Sequence, residues 1–233
     1  MNTLTIDDLG TVLGVWAHPD DEVYLSGGLM AAARDRGHRV VCVTATLGEH
    51  GTPDPARWPP ERLGRVRAAE QRASLAALGV TEYVQLGYPD GGCAGQPFDA
   101  AVDRISAIVD EVRPDTVLTF GPDGFTGHPD HRTVSAWATA ASRGARLLYA
   151  TSTGEFIDAW QHVYDRLEVF VDDGVPVRTP AHELAVHWRL DEELADRKLV
   201  ALRAQATQTA GVAALLGEET MRDWVATETF KAA

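Results

Sequence analysis

Hydrophobic positions in the first 150 residues fall into short runs, with amphipathic stretches between them. The runs are continuous rather than alternating, and they cover Thr11–Trp16, Arg39–Thr44, Tyr83–Leu86, Thr116–Phe120 and Arg146–Ala150. Continuous apolar runs of this length are typical of strands buried on both faces. The intervening stretches predict helices over Gly28–Asp35, Pro60–Leu78, Phe98–Val112 and Asp130–Ser142. This alternation predicts an α/β fold, in which a mostly parallel sheet is flanked by helices.

The pattern changes after residue 150. Two short apolar segments, Leu167–Val171 and Val175–Val177, flank the turn sequence Asp172-Asp173-Gly174, which predicts a β-hairpin. Beyond it the sequence predicts a strand, a helix and a loop with a short helix, over Glu183–Trp188, Asp191–Thr207 and Gly211–Ala233. We therefore predict a single domain over residues 1–233, with a parallel core (1–150) and a C-terminal extension of hairpin and helix (151–233).

The formal net charge of −13 limits the partners that this chain can have. Nucleic acids and anionic membrane surfaces are bound through positive patches, so neither is expected as a partner. No stretch is long and apolar enough to cross a bilayer, and the first residues, MNTLTIDDLG, lack the regions of a signal peptide. We expect a cytoplasmic protein that acts on a small molecule. The sequence does not fix the oligomeric state, and a homo-oligomer is compatible with it.

An acidic cluster directly follows the first predicted strand. The sequence His18-Pro19-Asp20-Asp21-Glu22 stands where a dinucleotide-binding protein has a glycine-rich turn for phosphates. Carboxylates repel a pyrophosphate but attract a cation, so the cluster disfavours a nucleotide cofactor and favours a metal ion. Because zinc in catalytic sites is held by histidine and carboxylate side chains, His18 and Asp21 are candidate ligands.

A second cluster, Gly127-His128-Pro129-Asp130-His131, follows the fourth predicted strand. In doubly wound sheets the first and fourth strands are commonly neighbours, and ligands bind at the carboxyl ends of the strands. The two loops would then face each other, and His131 would complete a metal site with His18 and Asp21. Each residue alone has another interpretation, because loop histidines are usually solvated and an aspartate after proline suits a helix start. Two HPD triplets at strand ends together favour the metal site.

Four segments in order, AHPDDE, TLGEHG, LGYPDG and GHPDH, resemble the PIG-L/LmbE-like family of zinc-dependent N-acetylglucosaminyl deacetylases. The resemblance runs from about Val12 to Gln208 and implies a Rossmann-like fold. It implies zinc ligation by His18, Asp21 and His131, the set that the spacing also predicts. Sites of this type also accept iron and other divalent ions, so it is the resemblance that favours zinc.

The same resemblance assigns the general base to Asp20. Zinc would activate a water molecule for attack on an amide carbonyl, while Asp20 takes up a proton. His128 is placed to stabilise the oxyanion that forms or to protonate the leaving amine. Asp130 is expected either to orient a histidine or to be an acid at a helix start.

Three further residues at the predicted sheet edge are candidates for binding a sugar, which needs directional polar partners. They are Glu49, Arg67 and Asp90. Arg67 resembles an arginine that lies near the substrate in the family, and a surface ion pair with Glu70 is the alternative explanation.

Two positions depart from the family pattern. Gln205 stands where members often have a histidine, and Thr126 stands where many have an aromatic residue. Both departures leave the identity of the substrate open. An aromatic wall against a sugar face, formed by Phe125, Trp160 and Trp188, is one interpretation of the remaining aromatic residues, and core packing is the other.

We predict a zinc hydrolase that removes the N-acetyl group from an N-acetylglucosamine-type amino sugar or its conjugate. One alternative is a zinc amidase that acts on another amide, such as a sugar–cysteine conjugate or another N-acyl group. The other is a non-catalytic sugar-binding α/β protein. Asp20 argues against the second alternative, because a binding protein has no need for a general base.

Overall fold

Strands and helices alternate through the first 150 residues, as the hydrophobic pattern predicts. The computed structural model describes residues 3–171 and 176–233. Within these residues the strands are β1 (Val12–Trp16), β2 (Val40–Thr46), β3 (Glu82–Tyr88), β4 (Thr116–Phe120), β5 (Arg146–Ala150), β6 (Leu184–Arg189) and β7 (Thr227–Ala232). They form one sheet in the order β3-β2-β1-β4-β5-β7-β6. Strands β1 to β5 run parallel, whereas β7 is antiparallel to both of its neighbours.

Helices flank this sheet, and the predicted fold class is confirmed. They are α1 (Asp21–Asp35), α2 (Pro60–Ala77), α3 (Phe98–Val112), α4 (Pro129–Ala141), α5 (Gly154–Leu167), α6 (Glu192–Ala204), α7 (Ala206–Leu216) and α8 (Glu218–Val225). Helices α1 and α2 both pack against α6, while α3 packs against α4. Across the described ranges, no helix combines the length and the apolar character needed to cross a membrane.

Strand β1 lies between β2 and β4, and every residue of these three strands is buried. The register places Val12 opposite Val40 on one side and opposite Thr116 on the other. The chain builds the sheet outwards from β1 in one direction through β2 and β3, and in the other through β4 and β5. The crevice at the carboxyl ends of β1 and β4 is therefore the topological switch point. The predicted adjacency of the first and fourth strands is confirmed.

Two elements differ from the prediction because they bury charged residues. Helix α1 begins at Asp21 rather than at Gly28, since the buried acids Asp21 and Glu22 form its first turn. The segment TETFKA, part of a stretch predicted as a loop with a short helix, is strand β7, in which Glu228 is buried. A buried carboxylate interrupts the apolar pattern by which a core strand is recognised in a sequence. The helix predicted over Asp191–Thr207 is also divided, because α6 ends at Ala204 and α7 begins at Ala206. Helix α7 continues to Leu216, into the segment predicted as loop.

Glu228 joins three elements through hydrogen bonds. Its oxygens accept the backbone N–H groups of Gly28 and Leu29 at 2.7 Å each, and Lys198 Nζ donates to it at 2.7 Å. The two charged side chains are completely buried. Because residue 28 is glycine, α1 can pack closely against the side chain of Leu190, which a Cβ atom there would overlap. The pair thus fixes β7 and α6 against α1.

The expected β-hairpin is not found in the part of the chain that is described. Leu167 ends α5, Glu168 adopts a left-handed φ of 50°, and residues 168–171 form no strand. The predicted turn Asp172-Asp173-Gly174 and Val175 lie outside the described residues. Leu167 continues the apolar face of an amphipathic helix rather than opening a strand. The antiparallel pair of the extension is instead β6 with β7.

Candidate active site

Two loops, one after β1 and one before α4, converge at the switch point. His18 Nδ1 lies 3.1 Å from His131 Nε2, although the two residues are 113 positions apart in the chain. Asp21, the first residue of α1, lies between them, with Oδ2 at 3.6 Å from His18 Nδ1 and Oδ1 at 3.4 Å from His131 Nε2. The structure therefore brings together the three residues predicted as metal ligands.

These distances suit a divalent metal ion. Ligand atoms at about 2.0–2.1 Å from a tetrahedral zinc ion lie about 3.3 Å from one another. The ring nitrogens of His18, His128 and His131 also lie within 4.8 Å of one another, as do donor atoms of His18, Asp90 and Asp130. Histidine and carboxylate donors of this kind bind zinc and other divalent ions. The donor set thus fits the predicted metal.

The second ring nitrogen of His18 is held by two carboxylates. His18 Nε2 lies 3.1 Å from Asp90 Oδ1 and 3.3 Å from Asp130 Oδ2. Asp130 in turn accepts the backbone N–H groups of Gly91 at 2.8 Å and Cys93 at 3.0 Å. Asp90 also accepts the N–H of His50 at 2.9 Å. Both carboxylates are therefore fixed, and they orient the imidazole so that Nδ1 faces Asp21 and His131.

His131 is oriented by its other nitrogen and by its ring face. Its Nδ1 lies 3.0 Å from the carbonyl oxygen of Gly124 and 3.2 Å from Thr126 Oγ1. Its ring stacks on Phe120, the last residue of β4, with centroids 4.1 Å apart. A proton on Nδ1 that is donated to the Gly124 carbonyl leaves Nε2 as the ligand atom. Thr126, noted as a departure from the family pattern, thus contacts the proposed ligand.

Asp20 occupies an unusual backbone position beside this cluster. Its φ of 113° is far from the range that non-glycine residues favour, and it precedes the first turn of α1. Arg67 Nη2 lies 3.3 Å from Asp20 Oδ2, and the guanidinium also donates to the carbonyl oxygens of Pro19 at 2.5 Å and Gly48 at 2.7 Å. Backbone strain held in place by such contacts is often found at functional sites.

Arg67 was open to two interpretations, and the surface ion pair with Glu70 is not formed. The side chain of Arg67 is buried, and Glu70 instead accepts hydrogen bonds from Thr207 N at 3.0 Å and Thr207 Oγ1 at 2.6 Å. Arg67 therefore faces the site, where it contacts the carboxylate of Asp20.

His128 lies against both histidine ligands, with ring centroids 4.8 Å from His18 and 5.0 Å from His131. Its Nδ1 accepts the backbone N–H of Asp130 at 3.1 Å, which caps α4. A neutral His128 therefore carries its proton on Nε2. Burial, together with the nearby charge of His18, lowers the pKa of His128, so the neutral N–H donor is favoured.

The cluster concentrates negative charge. Burial opposes ionisation of Asp21, but His131 and His18 lower its pKa to about 2. Burial likewise opposes ionisation of Asp90 and Asp130, and in both cases the hydrogen bond to His18 brings the pKa below its ordinary value. Burial disfavours the charged form of His18, yet hydrogen bonds to Asp130, Asp21 and Asp90 raise its pKa well above the usual range. Three carboxylates around one charged imidazole leave a surplus of negative charge for a cation.

Two acids next to the cluster are pushed towards their neutral forms. Burial raises the pKa of Asp20 to about 7, against the opposing charge of Arg67. Burial and the charge of Asp20 raise the pKa of Glu22 to about 8. Glu22 accepts hydrogen bonds from Asp20 N at 3.0 Å and Gln205 Nε2 at 3.1 Å. Gln205, the other departure from the family pattern, therefore contacts the acid that supports the backbone of Asp20.

A cavity of about 310 Å³ opens beside Asp20, Asp21 and His131. Among the described residues, the predicted sugar-binding positions Glu49, Arg67 and Asp90 do not line it. Glu49 Oε1 accepts the backbone N–H of Asp90 at 2.9 Å, so these residues contact the protein around the site. The aromatic residues that line the cavity are Tyr24, Phe120, Phe125, Phe156, Tyr164 and Trp224. Of these six residues, Phe125 was predicted to face the site, whereas the predicted Trp160 and Trp188 do not line the cavity. Phe156, Tyr164 and Trp224 lie on α5 and α8, distant in sequence from the motifs, so no local pattern pointed to them.

Comparison with known proteins identifies sequence relatives of this chain. Residues 13–142, which include both HPD triplets, match the family model described as PIG-L: GlcNAc-PI de-N-acetylase. The protein named 1D-myo-inositol 2-acetamido-2-deoxy-alpha-D-glucopyranoside deacetylase, from Saccharomonospora viridis, is 36% identical over 231 residues. That alignment covers 84% of this chain and 84% of the relative.

Solved structures with a similar fold carry names of different reactions. The N,N'-diacetylchitobiose deacetylase of Pyrococcus horikoshii matches with a TM-score of 0.64 and 23% identity, over 98% of this chain and 85% of that chain. The 4-carboxy-2-hydroxymuconate hydratase GalB of Pseudomonas putida matches with a TM-score of 0.65 and 16% identity, over 97% of this chain and 96% of that chain. The fold alone therefore does not define the reaction. The family model and the sequence identity do define the lineage: this chain belongs to the PIG-L family.

Proposed function

We propose that this protein is a zinc-dependent hydrolase that removes the N-acetyl group from an N-acetylglucosamine-type amino sugar or its conjugate. The observation that carries the proposal is the meeting of His18, Asp21 and His131 donor atoms, 3.1–3.6 Å apart, beside a cavity that Asp20 also lines. The name of the relative from Saccharomonospora viridis, an N-acetyl amino sugar deacetylase, supports the same chemistry.

The metal would be held by His18, Asp21 and His131. A zinc ion supplies Lewis acidity to a carbonyl oxygen and lowers the pKa of water from about 15.7 towards 7. Asp90 and Asp130 keep the His18 ring turned towards the other two ligands, and Gly124 does the same for His131.

Asp20 is the proposed general base. Its carboxylate lies at the cavity beside the ligands, and burial raises its pKa above the ordinary value, which favours uptake of a proton. Arg67 fixes both the carboxylate and the peptide before it, so the base does not swing away from the reacting carbonyl.

His128 is the proposed donor to the developing oxyanion. Its Nδ1 is occupied by the N–H of Asp130, which directs the proton to Nε2 and fixes the ring. A preorganised N–H of this kind stabilises negative charge at little reorganisation cost. The leaving amine needs a proton, and Asp20, protonated by the attacking water, would deliver it while His128 donates its Nε2–H to the oxyanion.

The test is hydrolysis by protein of known metal content. Protein loaded with zinc, and checked by elemental analysis, is incubated with N-acetylglucosamine, a GlcNAc–inositol conjugate and N,N'-diacetylchitobiose. We expect equal amounts of free amine and acetate from at least one of them. Stoichiometric zinc without release of amine from any N-acetyl hexosamine would contradict the proposal. Turnover confined to amides that carry no amino sugar would favour the amidase alternative instead.

A further inference from the structure

Tyr24 lies on α1 one helical turn after the proposed general base. Its backbone N–H donates to the carbonyl oxygen of Asp20 at 3.0 Å. Side chains three and four positions apart share one face of a helix, and each leans back towards the helix N-terminus. The side chain of Tyr24 is therefore directed towards the turn that carries Asp20 and Asp21, and all three residues line the cavity.

The hydroxyl of Tyr24 is a polar group that the fold does not use. In the described part of the chain no hydrogen bond involves it, and it is not one of the buried polar atoms that lack a partner, so solvent reaches it. Other polar side chains of the cavity have protein partners. Thr126 Oγ1 lies 3.2 Å from His131 Nδ1, and Thr151 Oγ1 lies 2.6 Å from Thr179 Oγ1. Tyr24 therefore offers its hydroxyl to whatever occupies the cavity.

The ring that carries this hydroxyl is held in place by the protein. It packs against Trp224, with ring centroids 5.8 Å apart. The backbone carbonyl oxygen of Tyr24 accepts a hydrogen bond from Lys198 Nζ at 2.8 Å, and Lys198 is itself completely buried against Glu228. A hydrogen-bonding group that is fixed before the substrate binds needs little reorganisation during the reaction.

The hydroxyl of Tyr24 supplies a donor where the neighbouring side chains are acids. Burial and, to a smaller extent, the charge of Asp20 raise the pKa of Tyr24 above its ordinary value, so the hydroxyl keeps its proton at neutral pH. Ionised carboxylates such as that of Asp21 accept hydrogen bonds but cannot donate them. A substrate oxygen that lies beside these acids therefore needs a donor from another residue.

We propose that the Tyr24 hydroxyl donates a hydrogen bond to a substrate oxygen next to the scissile amide bond. This inference rests on the proposed function and adds a substrate-contacting residue to it. Two oxygens of an N-acetyl amino sugar lie next to that bond. One is the amide oxygen, and the other is the 3-hydroxyl, on the ring carbon beside the one that carries nitrogen.

Tyr24→Phe tests the proposal because it removes the hydroxyl and keeps the ring. Tyr83→Phe is the matched control, since Tyr83 is a partly buried residue of β3 that does not line the cavity. Both variants are assayed on the N-acetyl amino sugar that the wild type hydrolyses fastest and on its 3-deoxy analogue. Tyr83→Phe should have wild-type kinetic constants on both substrates.

The two possible acceptors give different results for Tyr24→Phe. Negative charge develops on the amide oxygen in the transition state, so loss of a donor to it should lower kcat about 10²–10³-fold and leave KM nearly unchanged. Loss of a donor to the 3-hydroxyl should lower kcat/KM by about 2–10-fold on the parent sugar. In that case Tyr24→Phe and the wild type should have equal kcat/KM on the 3-deoxy analogue.

The same variants separate a substrate contact from a structural role. Because the hydroxyl has no protein partner among the described residues, the zinc content and Tm of Tyr24→Phe should equal those of the wild type. Wild-type kcat and KM in Tyr24→Phe on both substrates would overturn the inference and leave the proposed function intact.

If the wild type hydrolyses no amide, the proposed function fails and the contact is tested by binding. Affinity for N-acetylglucosamine is measured by calorimetry with the zinc-loaded proteins. Binding that Tyr24→Phe weakens by about 2–10-fold and Tyr83→Phe leaves unchanged supports the contact. Equal affinity in the wild type and both variants, or no binding at all, overturns it.

Discussion

Asp20 combines three features that rarely coincide in one side chain: a left-handed backbone, a buried carboxylate and an arginine partner. Asparagine tolerates the same backbone region and keeps the shape of the side chain, but it cannot take up a proton. We expect Asp20→Asn to lower kcat by about 10²–10⁴-fold, the usual contribution of a general base. Zinc content, measured by elemental analysis, should stay at the wild-type level. Near-normal turnover in this variant would remove Asp20 from the base role.

Asp130 contacts His18, a proposed metal ligand, and does not line the cavity. Removing a residue that orients a metal-binding histidine typically costs about 10–100-fold in metal affinity. We expect Asp130→Asn to weaken zinc binding by that factor, measured by competition with a chromophoric chelator. Asp103→Asn, at an exposed position of α3, is the control and should bind zinc like the wild type. Equal affinity in the two variants would show that the His18–Asp130 contact does not position the ligand.

The residues that were easiest to predict as metal ligands were those that cluster after a strand without any evident benefit to folding. His18, Asp21 and His131 follow buried strands at positions where a loop gains nothing from clustered charge, so their convergence was predictable from strand order. The partners of His18 were not, because a sequence shows which loop carries Asp90 or Asp130 but not the direction in which each side chain points. Those two residues meet one imidazole only after three loops have packed together.

At the scale of elements, the prediction agrees with the structure for apolar core strands, whereas it missed β7 and α5 and placed a loop where α7 continues. The boundaries of β4, β5 and α3 agree with the predicted ones because continuous apolar runs and a helix-ending proline define them. Strand β7 was missed because its buried Glu228 is explained only by Lys198 on α6. An ion pair between two distant elements leaves no local pattern from which either strand or partner could be predicted.

Removing one partner of the Lys198–Glu228 ion pair should lower the free energy of unfolding by more than the intact pair contributes to it. Lys198→Met leaves a buried carboxylate with no ammonium partner, and we expect the free energy of unfolding to fall by about 3–5 kcal/mol, measured by urea titration. Lys231→Met makes the same change at the partly exposed end of β7 and should cost less than about 0.5 kcal/mol. The double variant Lys198→Met/Glu228→Gln should recover part of the loss, because the buried charge is gone. An unaltered midpoint in Lys198→Met would show that the pair contributes nothing to docking of β7.

At the scale of the whole molecule, the proposed ligands connect the two halves of the sheet. His18 and Asp21 follow β1, and His131 follows β4. From these two paired strands the sheet extends to β3 at one edge and to β6 at the other. A metal ion bound by all three would therefore resist separation of the halves, and it would also neutralise part of the surplus negative charge of a chain with a net charge of −13. A metal ion that binds only the folded state raises the free energy of unfolding. The rise grows with the ratio of the free metal concentration to the dissociation constant.

Free zinc at a concentration a hundredfold above its dissociation constant adds about 2.7 kcal/mol to the free energy of unfolding. For a chain of this size that corresponds to a rise in Tm of about 5–10 °C relative to chelator-treated protein, measured by scanning calorimetry. His18→Ala and His131→Ala should each remove most of this rise, whereas His182→Ala, at an exposed histidine far from the loops, should retain it. The same rise in the double variant His18→Ala/His131→Ala would place the stabilising metal elsewhere on the protein. Loss of the rise in both single variants would show that one ion needs a ligand from each of the two segments that meet at the switch point.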